Sequence, residues 1–105
     1  MKIRSFGHAL PAQEISNNKI SEIMDTSDEW IQSHTGISSR YILSGDETIS
    51  ALGAQAAQMA LDRAGLSVSD VDYILCSTTC GEMIFPSTAC LIQRKLGASC
   101  PAVDV

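Results

Sequence analysis

Four cysteines (Cys76, Cys80, Cys90, Cys100), two histidines (His8, His34), a single tryptophan (Trp30) and the acidic pairs Asp28–Glu29 and Asp46–Glu47 are the side chains with chemistry to offer. A zinc site draws thiolates and imidazoles from short, repeated spacings such as CxxC. These cysteines stand four, ten and ten residues apart, no CxxC pair occurs, and both histidines lie far from them in sequence. The pattern therefore reads as four reduced, mostly buried thiols, with Cys76 in an apolar strand and Cys90 in a helix, and calls for no metal. The scattered glycines form no phosphate loop or dinucleotide fingerprint. No serine sits in a G-x-S-x-G turn. The acidic pairs are placed as helix-cap and turn residues rather than as an acid–base couple. Trp30 and His34, four apart, project from one face of a helix.

Composition narrows the class. With 105 residues, 45% hydrophobic and 18% charged, the chain has an ordinary globular balance. Net charge is −5 and the seven basic residues form no block, which argues against nucleic-acid binding. No apolar run approaches the roughly 20 residues of a membrane-spanning helix. The N-terminus is too quickly polar for a secretory signal. The expectation is a cytoplasmic protein.

The elements that position these side chains follow from periodicity and caps. Residues 2–10 read as an opening strand that buries Ile3, Phe6 and Leu10. Asn17 or Asn18 caps a short helix carrying Ile20, Ile23 and Met24. Thr26-Ser27-Asp28-Glu29 fits a capping box with Thr26 as the cap, and Gly36 ends that helix. Residues 40–43 form a strand or extended arm, followed by a turn at 44–47. Thr48 caps a long helix to Ala64, closed by Gly65, with Ile49, Leu52, Ala56 and Met59 as its buried stripe. Gly53, Ala54, Ala57 and Ala60 leave its other faces thin enough for close packing on several sides. Residues 73–78 make a short buried strand and 79–84 a loop. Pro86 or Ser87 opens a helix through Leu96, closed by Gly97, and Pro101 starts a further strand. Strands alternating with helices give a layered α/β fold.

The ordered set Asp25-Thr26-Ser27-Asp28-Glu29-Trp30-Ile31, Thr35-Gly36-Ile37, Ser77-Thr78-Thr79, Phe85-Pro86-Ser87, Ala89-Cys90, Ile92-Gln93, Leu96-Gly97 and Cys100-Pro101-Ala102 resembles β-ketoacyl-acyl-carrier-protein synthase III over essentially the whole chain. The resemblance implies an α/β class fold, the N-terminal part of a thiolase-like layered αβαβα arrangement, with residues 1–105 an incomplete N-terminal half. It implies an acyltransferase that condenses an acyl-CoA primer with malonyl-ACP to start fatty-acid synthesis, acting as a homodimer without a cofactor. In that family a cysteine at a buried helix N-terminus, where a thiol's pKa is lowered, takes up the acyl group. A histidine and an asparagine from the second half then promote decarboxylation of malonyl-ACP. The nucleophile falls a few positions beyond Val105. None of the four cysteines matches it, Cys90 being read as mid-helix and Cys100 as preceding the strand, and neither histidine matches the catalytic one. No catalytic residue is therefore expected in this chain, which alone should be inactive.

The resemblance also implies binding roles. Thr26 and Trp30 match contacts to the adenine end of CoA; the alternative for Trp30 is an anchor of its helix to the core. His34 stands where the family has an arginine that sandwiches the adenine against the tryptophan; the alternative is a solvent-exposed helix residue. Phe85 matches a loop residue that crosses the dimer interface and closes the partner's acyl pocket; the alternative is a plug within its own subunit. A related condensing enzyme of secondary metabolism or of biotin-precursor synthesis, and a noncatalytic dimerisation or acyl-CoA-binding module, are the other functional readings. Without a second half, apolar surface and sheet edges should lie exposed.

Overall fold

The computed structural model describes residues 1–105. Two compact units are present, one of residues 1–9 and 47–105, the other of residues 10–46. No helix is long and apolar enough to cross a membrane.

The first unit is built around α3 (Ile49–Ala64) and α4 (Thr88–Leu96). Thr48 caps α3, its side chain accepting from the Ala51 N–H at 3.2 Å. Ser87 caps α4 in the same way through Cys90 N–H. Gly65 and Gly97 end the two helices at φ 67° and 72°, the left-handed conformation that glycine adopts without a Cβ clash. A Cβ on Gly53 would stand 2.6 Å from the Ile92 Cδ1, so α3 approaches α4 at its glycine. Ala89 and Ile92 are buried there. The stripe Ile49, Leu52, Ala56 and Met59 is half-buried, while Ser50 is fully buried. Strands β3 (Ile74–Cys76) and β4 (Ala102–Asp104) pair in parallel, with Leu75 opposite Val103, and α4 connects them. Ile74 and Cys76 are half-buried while Leu75 is 64% exposed. The strand expected to be buried is thus covered on one face only.

The opening strand does not form. Residues 1–11 make no β-ladder, because a strand needs a partner for its N–H and C=O groups and none lies beside this one. The segment is instead an extended arm on α3. Ser5 Oγ donates to Ala60 O at 2.6 Å, and Arg63 Nη1 donates to Phe6 O at 3.0 Å. The expected burial is also reversed. Ser5, Gly7 and Ala9 are half-buried, whereas Ile3, Phe6 and Leu10 are exposed. The long alanine-rich helix admits only small side chains at this distance.

In the second unit β1 (Gln13–Ser16) pairs antiparallel with β2 (Ser39–Ile42), with Ile15 opposite Arg40. Helices α1 (Asn17–Ser21) and α2 (Asp28–Thr35) lie between them in sequence. Ser16, not Asn17 or Asn18, caps α1. Asn17 is 1% exposed and spends its amide elsewhere. Its Nδ2 donates to Asp28 Oδ1 at 2.8 Å and to Ile37 O at 2.7 Å, and its Oδ1 accepts from Arg40 Nη2 at 2.6 Å. Ile31 is the buried apolar residue of this unit; Ile23 and Met24 lie beyond the end of α1 and are exposed.

The arm's contact gives a stability prediction. A Cβ on Gly7 would fall 1.9 Å from Ala56 O and 2.7 Å from Ala60 N, backbone atoms that cannot swing aside. Gly7→Ala is expected to detach the arm and destabilise the unit by about 1–3 kcal/mol, the usual scale for overpacking. A urea midpoint equal to that of the parent chain, with Ser5 to Ala9 amides equally protected from exchange, would refute this packing.

Candidate functional site

Residues Ile20, Met24, Asp25, Thr26, Ser27, Trp30 and Ile31 line a cleft of about 590 Å³ between α1 and α2. Its floor is set by how α2 begins. Ser27, at φ −140° and ψ 161°, is the N-cap and accepts from Trp30 N–H at 3.1 Å. Thr26 is therefore not the cap expected from the sequence. Two adjacent hydroxyl residues offered alternative starts, and the helix takes the later one. Thr26 is left with a buried Oγ1 that has no hydrogen-bond partner. Asp28 sits in the first turn, where the helix dipole favours an anion. Hydrogen bonds from Gln32 and Asn17 hold its carboxyl below the usual carboxylate range.

Trp30 and His34 share the face expected of an i, i+4 pair, and their rings are in contact. The ring centroids are 4.1 Å apart with planes inclined by 19°. His34 Nδ1 lies 2.8 Å from Trp30 O and 3.1 Å from Ser33 Oγ. The indole is 56% exposed within residues 1–105 and lines the cleft. Gly36 ends α2 at φ 70°.

Phe85 lies in the other unit, on the loop before α4. It is 87% exposed and Ile84 is fully exposed, with Met83 half-exposed beside them. Within residues 1–105 no other side chain buries Phe85. The loop that carries it is tied down by polar residues. Glu82 accepts from Ser50 N–H at 2.8 Å, in the first turn of α3. Thr88 Oγ1 accepts from Glu82 N–H at 3.3 Å. Asp104, at the end of β4, accepts from Thr88 N–H at 2.8 Å and Ala89 N–H at 2.6 Å, in the first turn of α4. The Phe85–Pro86 peptide bond is cis. Hydrogen bonds from Ser50 hold Glu82 below its ordinary value, and those from Ala89 and Thr88 do the same for Asp104. Sequence reading missed Ser50, Glu82, Thr88 and Asp104 because each finds its partner 6 to 32 residues away. A polar residue at an otherwise buried helix or strand position is the signal that was present.

The cysteines are unpaired thiols. Cys76 is pushed up by burial and by the charge of Asp104. Cys100 is buried, Cys90 half-buried and Cys80 exposed, the last against expectation because its loop lies at the surface. Cys90 is in the first turn of α4 rather than in mid-helix, with its Sγ 3.7 Å from Ala102 O. The thiols bring together no nucleophile and base: His8 and His34 contribute no hydrogen bond to any of them.

No family model matches the chain. Relatives and solved structures do. β-Ketoacyl-[acyl-carrier-protein] synthase III of Neisseria meningitidis serogroup A is 47% identical over 106 residues, which cover 99% of this chain and 33% of that protein. The crystal structure of 3-oxoacyl-[acyl-carrier-protein] synthase III from Aquifex aeolicus superposes with a TM-score of 0.89 at 43% identity, covering 99% of this chain and 34% of that one. The priming β-ketosynthase of the R1128 polyketide biosynthetic pathway superposes with a TM-score of 0.86 at 32% identity, covering 99% and 31%. The chain spans about a third of the length of the curated relatives it matches. Its fold is the α/β, thiolase-like fold of those condensing enzymes, as the sequence motifs implied.

The carboxylates that tie the Phe85 loop predict an acid limb in stability. Both have folded-state values below their unfolded ones, so their contribution is present above about pH 4 and is lost as pH falls through the folded values. The urea midpoint is expected to drop between about pH 5 and pH 3. Asp104→Asn should lower the midpoint at neutral pH and flatten that limb, with a residue of it left by Asp28 and Asp70, whose carboxyls are also depressed. An unaltered acid limb in Asp104→Asn would show that its two backbone bonds contribute nothing.

Proposed function

We propose that this chain is the N-terminal third of a condensing enzyme of the β-ketoacyl-acyl-carrier-protein synthase III kind. Such an enzyme joins an acyl-CoA primer to malonyl-ACP and so starts fatty-acid synthesis. The observation that carries the reading is similarity running through 99% of the chain at 47% identity, in sequence and backbone alike. On this reading the protein is an acyltransferase, a cytoplasmic homodimer, and residues 1–105 are an incomplete half of one thiolase-like domain.

The chain's share of the work is recognition. Trp30 offers a flat indole at the mouth of an apolar cleft, the kind of surface on which a purine stacks. The Thr26 hydroxyl, buried without a partner, has a hydrogen bond to give or accept once its side chain turns toward the cleft that the residue lines. A bound adenine end of CoA would supply both contacts. Position 34 then tunes affinity, since an imidazole lacks the permanent charge and donor fork of a guanidinium. The exposed Phe85 and Ile84 suit burial against a partner subunit, where Phe85 would close an acyl pocket. The condensation itself needs an activated thiolate. Cys76 is pushed away from ionisation and Cys100 is buried, and Cys80 and Cys90 have no histidine beside them to act as a base. The family resemblance puts the reacting sulfur a few positions beyond Val105.

A second reading, a priming condensation in secondary metabolism, is favoured by the likeness to the R1128 priming ketosynthase. The recognition residues would act in the same way, and the acyl acceptor would differ.

Trp30 is the chain's single tryptophan, so its emission reports the proposed site directly. Acetyl-CoA is expected to quench it saturably, and Trp30→Ala, followed by calorimetry, to weaken binding about tenfold, the scale of one stacked base. His34→Arg should tighten acetyl-CoA binding by several-fold through the added charge. Equal affinity in all three proteins would exclude a CoA site here. A radiolabelled acyl-transfer assay of the chain alone should give no turnover; turnover would overthrow the assignment of the reacting sulfur.

A further inference from the structure

Asp104 is the last residue of β4, and its carboxylate is where a strand, a helix and a loop meet. Backbone pairing places it. Cys76 lies opposite on β3, Val105 N–H donates to Cys76 O at 2.8 Å, and Thr78 N–H donates to Val105 O at 3.1 Å. The strand is therefore held in register up to and past Asp104. From there the side chain reaches the start of α4, taking Thr88 N–H on Oδ2 at 2.8 Å and Ala89 N–H on Oδ1 at 2.6 Å. Ser87 Oγ takes the next donor, Cys90 N–H. With the first turn of α4 closed in this way, the carboxylate fastens elements together rather than offering a place to a ligand.

The same residues close the base of the loop that carries Phe85. Glu82 N–H donates to Thr88 Oγ1 at 3.3 Å, so residues 82 and 88 are joined and 83–87 form the excursion between them. One residue earlier, a Cβ on Gly81 would stand 3.0 Å from Thr88 Oγ1 and 3.9 Å from Asp104 Oδ2. Both feet of the loop thus stand beside Asp104. The Glu82 carboxylate ties the outer foot to the first turn of α3 through Ser50 N–H. Thr88 and Ser50 are fully buried, so a bond broken here is not replaced by one to water. A carboxylate suits the central position because each of its oxygens accepts a separate N–H. An amide has one such oxygen, and its NH2 would face the second N–H donor to donor.

Resting on the reading given above, in which Phe85 closes the partner subunit's acyl pocket, we propose that Asp104 is a positioning residue for primer selection. Acting through Thr88, it fixes the Phe85 loop to the body of its own subunit, and so fixes how far the ring reaches into the neighbouring pocket. A loop held at its base presents a hard wall to the end of the acyl chain. A loop released at its base yields to a longer chain.

The test uses the full-length enzyme and compares kcat/KM for acetyl-CoA with kcat/KM for octanoyl-CoA, with malonyl-ACP as extender in both. Their ratio is blind to a loss of folded protein or a general fall in rate, the effects of a merely structural role. Asp104→Asn is expected to shift the ratio about tenfold toward octanoyl-CoA, the scale of one hydrogen bond to a charged group. Thr88→Val removes the Oγ1 acceptor but keeps the N–H that Asp104 holds, and should shift the ratio in the same direction. Thr88→Ser should retain the parent ratio. Asp70→Asn removes a carboxylate that accepts from Ser67 N–H elsewhere in the unit, and should leave the ratio unchanged. An unmoved ratio in Asp104→Asn, or an equal shift in Asp70→Asn, would overturn the proposal. Should Asp104→Asn fail to fold, an unmoved ratio in Thr88→Val overturns it as well. A parent enzyme that condenses neither primer with malonyl-ACP would instead remove the reading beneath it.

Discussion

A carboxamide with almost no solvent contact organises the unit of residues 10–46. Asn17 is removed from water yet uses both amide hydrogens and its oxygen, binding Asp28 at the start of α2, the carbonyl of Ile37 after its end, and Arg40 on β2. Burial in a low-dielectric setting raises the cost of leaving any of these groups unpaired, on the order of 1–3 kcal/mol each. The unit has little else to fix it, since Ile31 is its buried apolar residue. The cleft between α1 and α2 therefore owes its shape to polar complementarity more than to hydrophobic packing. Trp30 stands in the right place because both ends of its helix are fastened to one side chain.

The other unit applies the same device with the charges placed differently. Glu82 caps the start of α3 from a loop, and Asp104 caps the start of α4 from a strand end. Thr88 links the two by accepting from Glu82 N–H while its own N–H reaches Asp104. Each carboxylate answers backbone donors that a helix leaves unsatisfied at its N-terminus. The loop between them, with Ile84 and Phe85 turned to solvent, is held at its base and free at its tip. On the proposed reading of Phe85 as a partner contact, that division serves the loop well, since its position is set by polar bonds at its base and its apolar tip remains available.

The parts legible in the sequence were those decided locally. Gly36, Gly65 and Gly97 announced helix ends because a left-handed residue is cheap only for glycine. Thr48 announced a helix start because its hydroxyl bonds three residues ahead. The ordered motifs led to the family of folds found by comparison. The start of α2 was misplaced by one residue, because Thr26 and Ser27 are both competent caps and only tertiary placement chooses between them. Asn17 looked like a cap for the same reason and proved to be a hub. Asp104 could not be read at all, since its partners lie 15 and 16 residues back along the chain. The opening strand was misread because local pattern marks an extended segment but not whether a partner strand lies beside it.

The N-terminal arm carries a consequence of its own. Its residues alternate between Ser5 and Gly7, pressed on α3, with Ala9 half-buried after them, and Phe6, His8 and Leu10, which are exposed. Gly7 is held to the smallest side chain by the backbone of α3, while Phe6, His8 and Leu10 are not constrained by that helix. The outward row is apolar at Phe6 and Leu10, so on the proposed reading it is a ready-made face for the remainder of the domain, laid down by a ribbon whose inner row is already spent on α3.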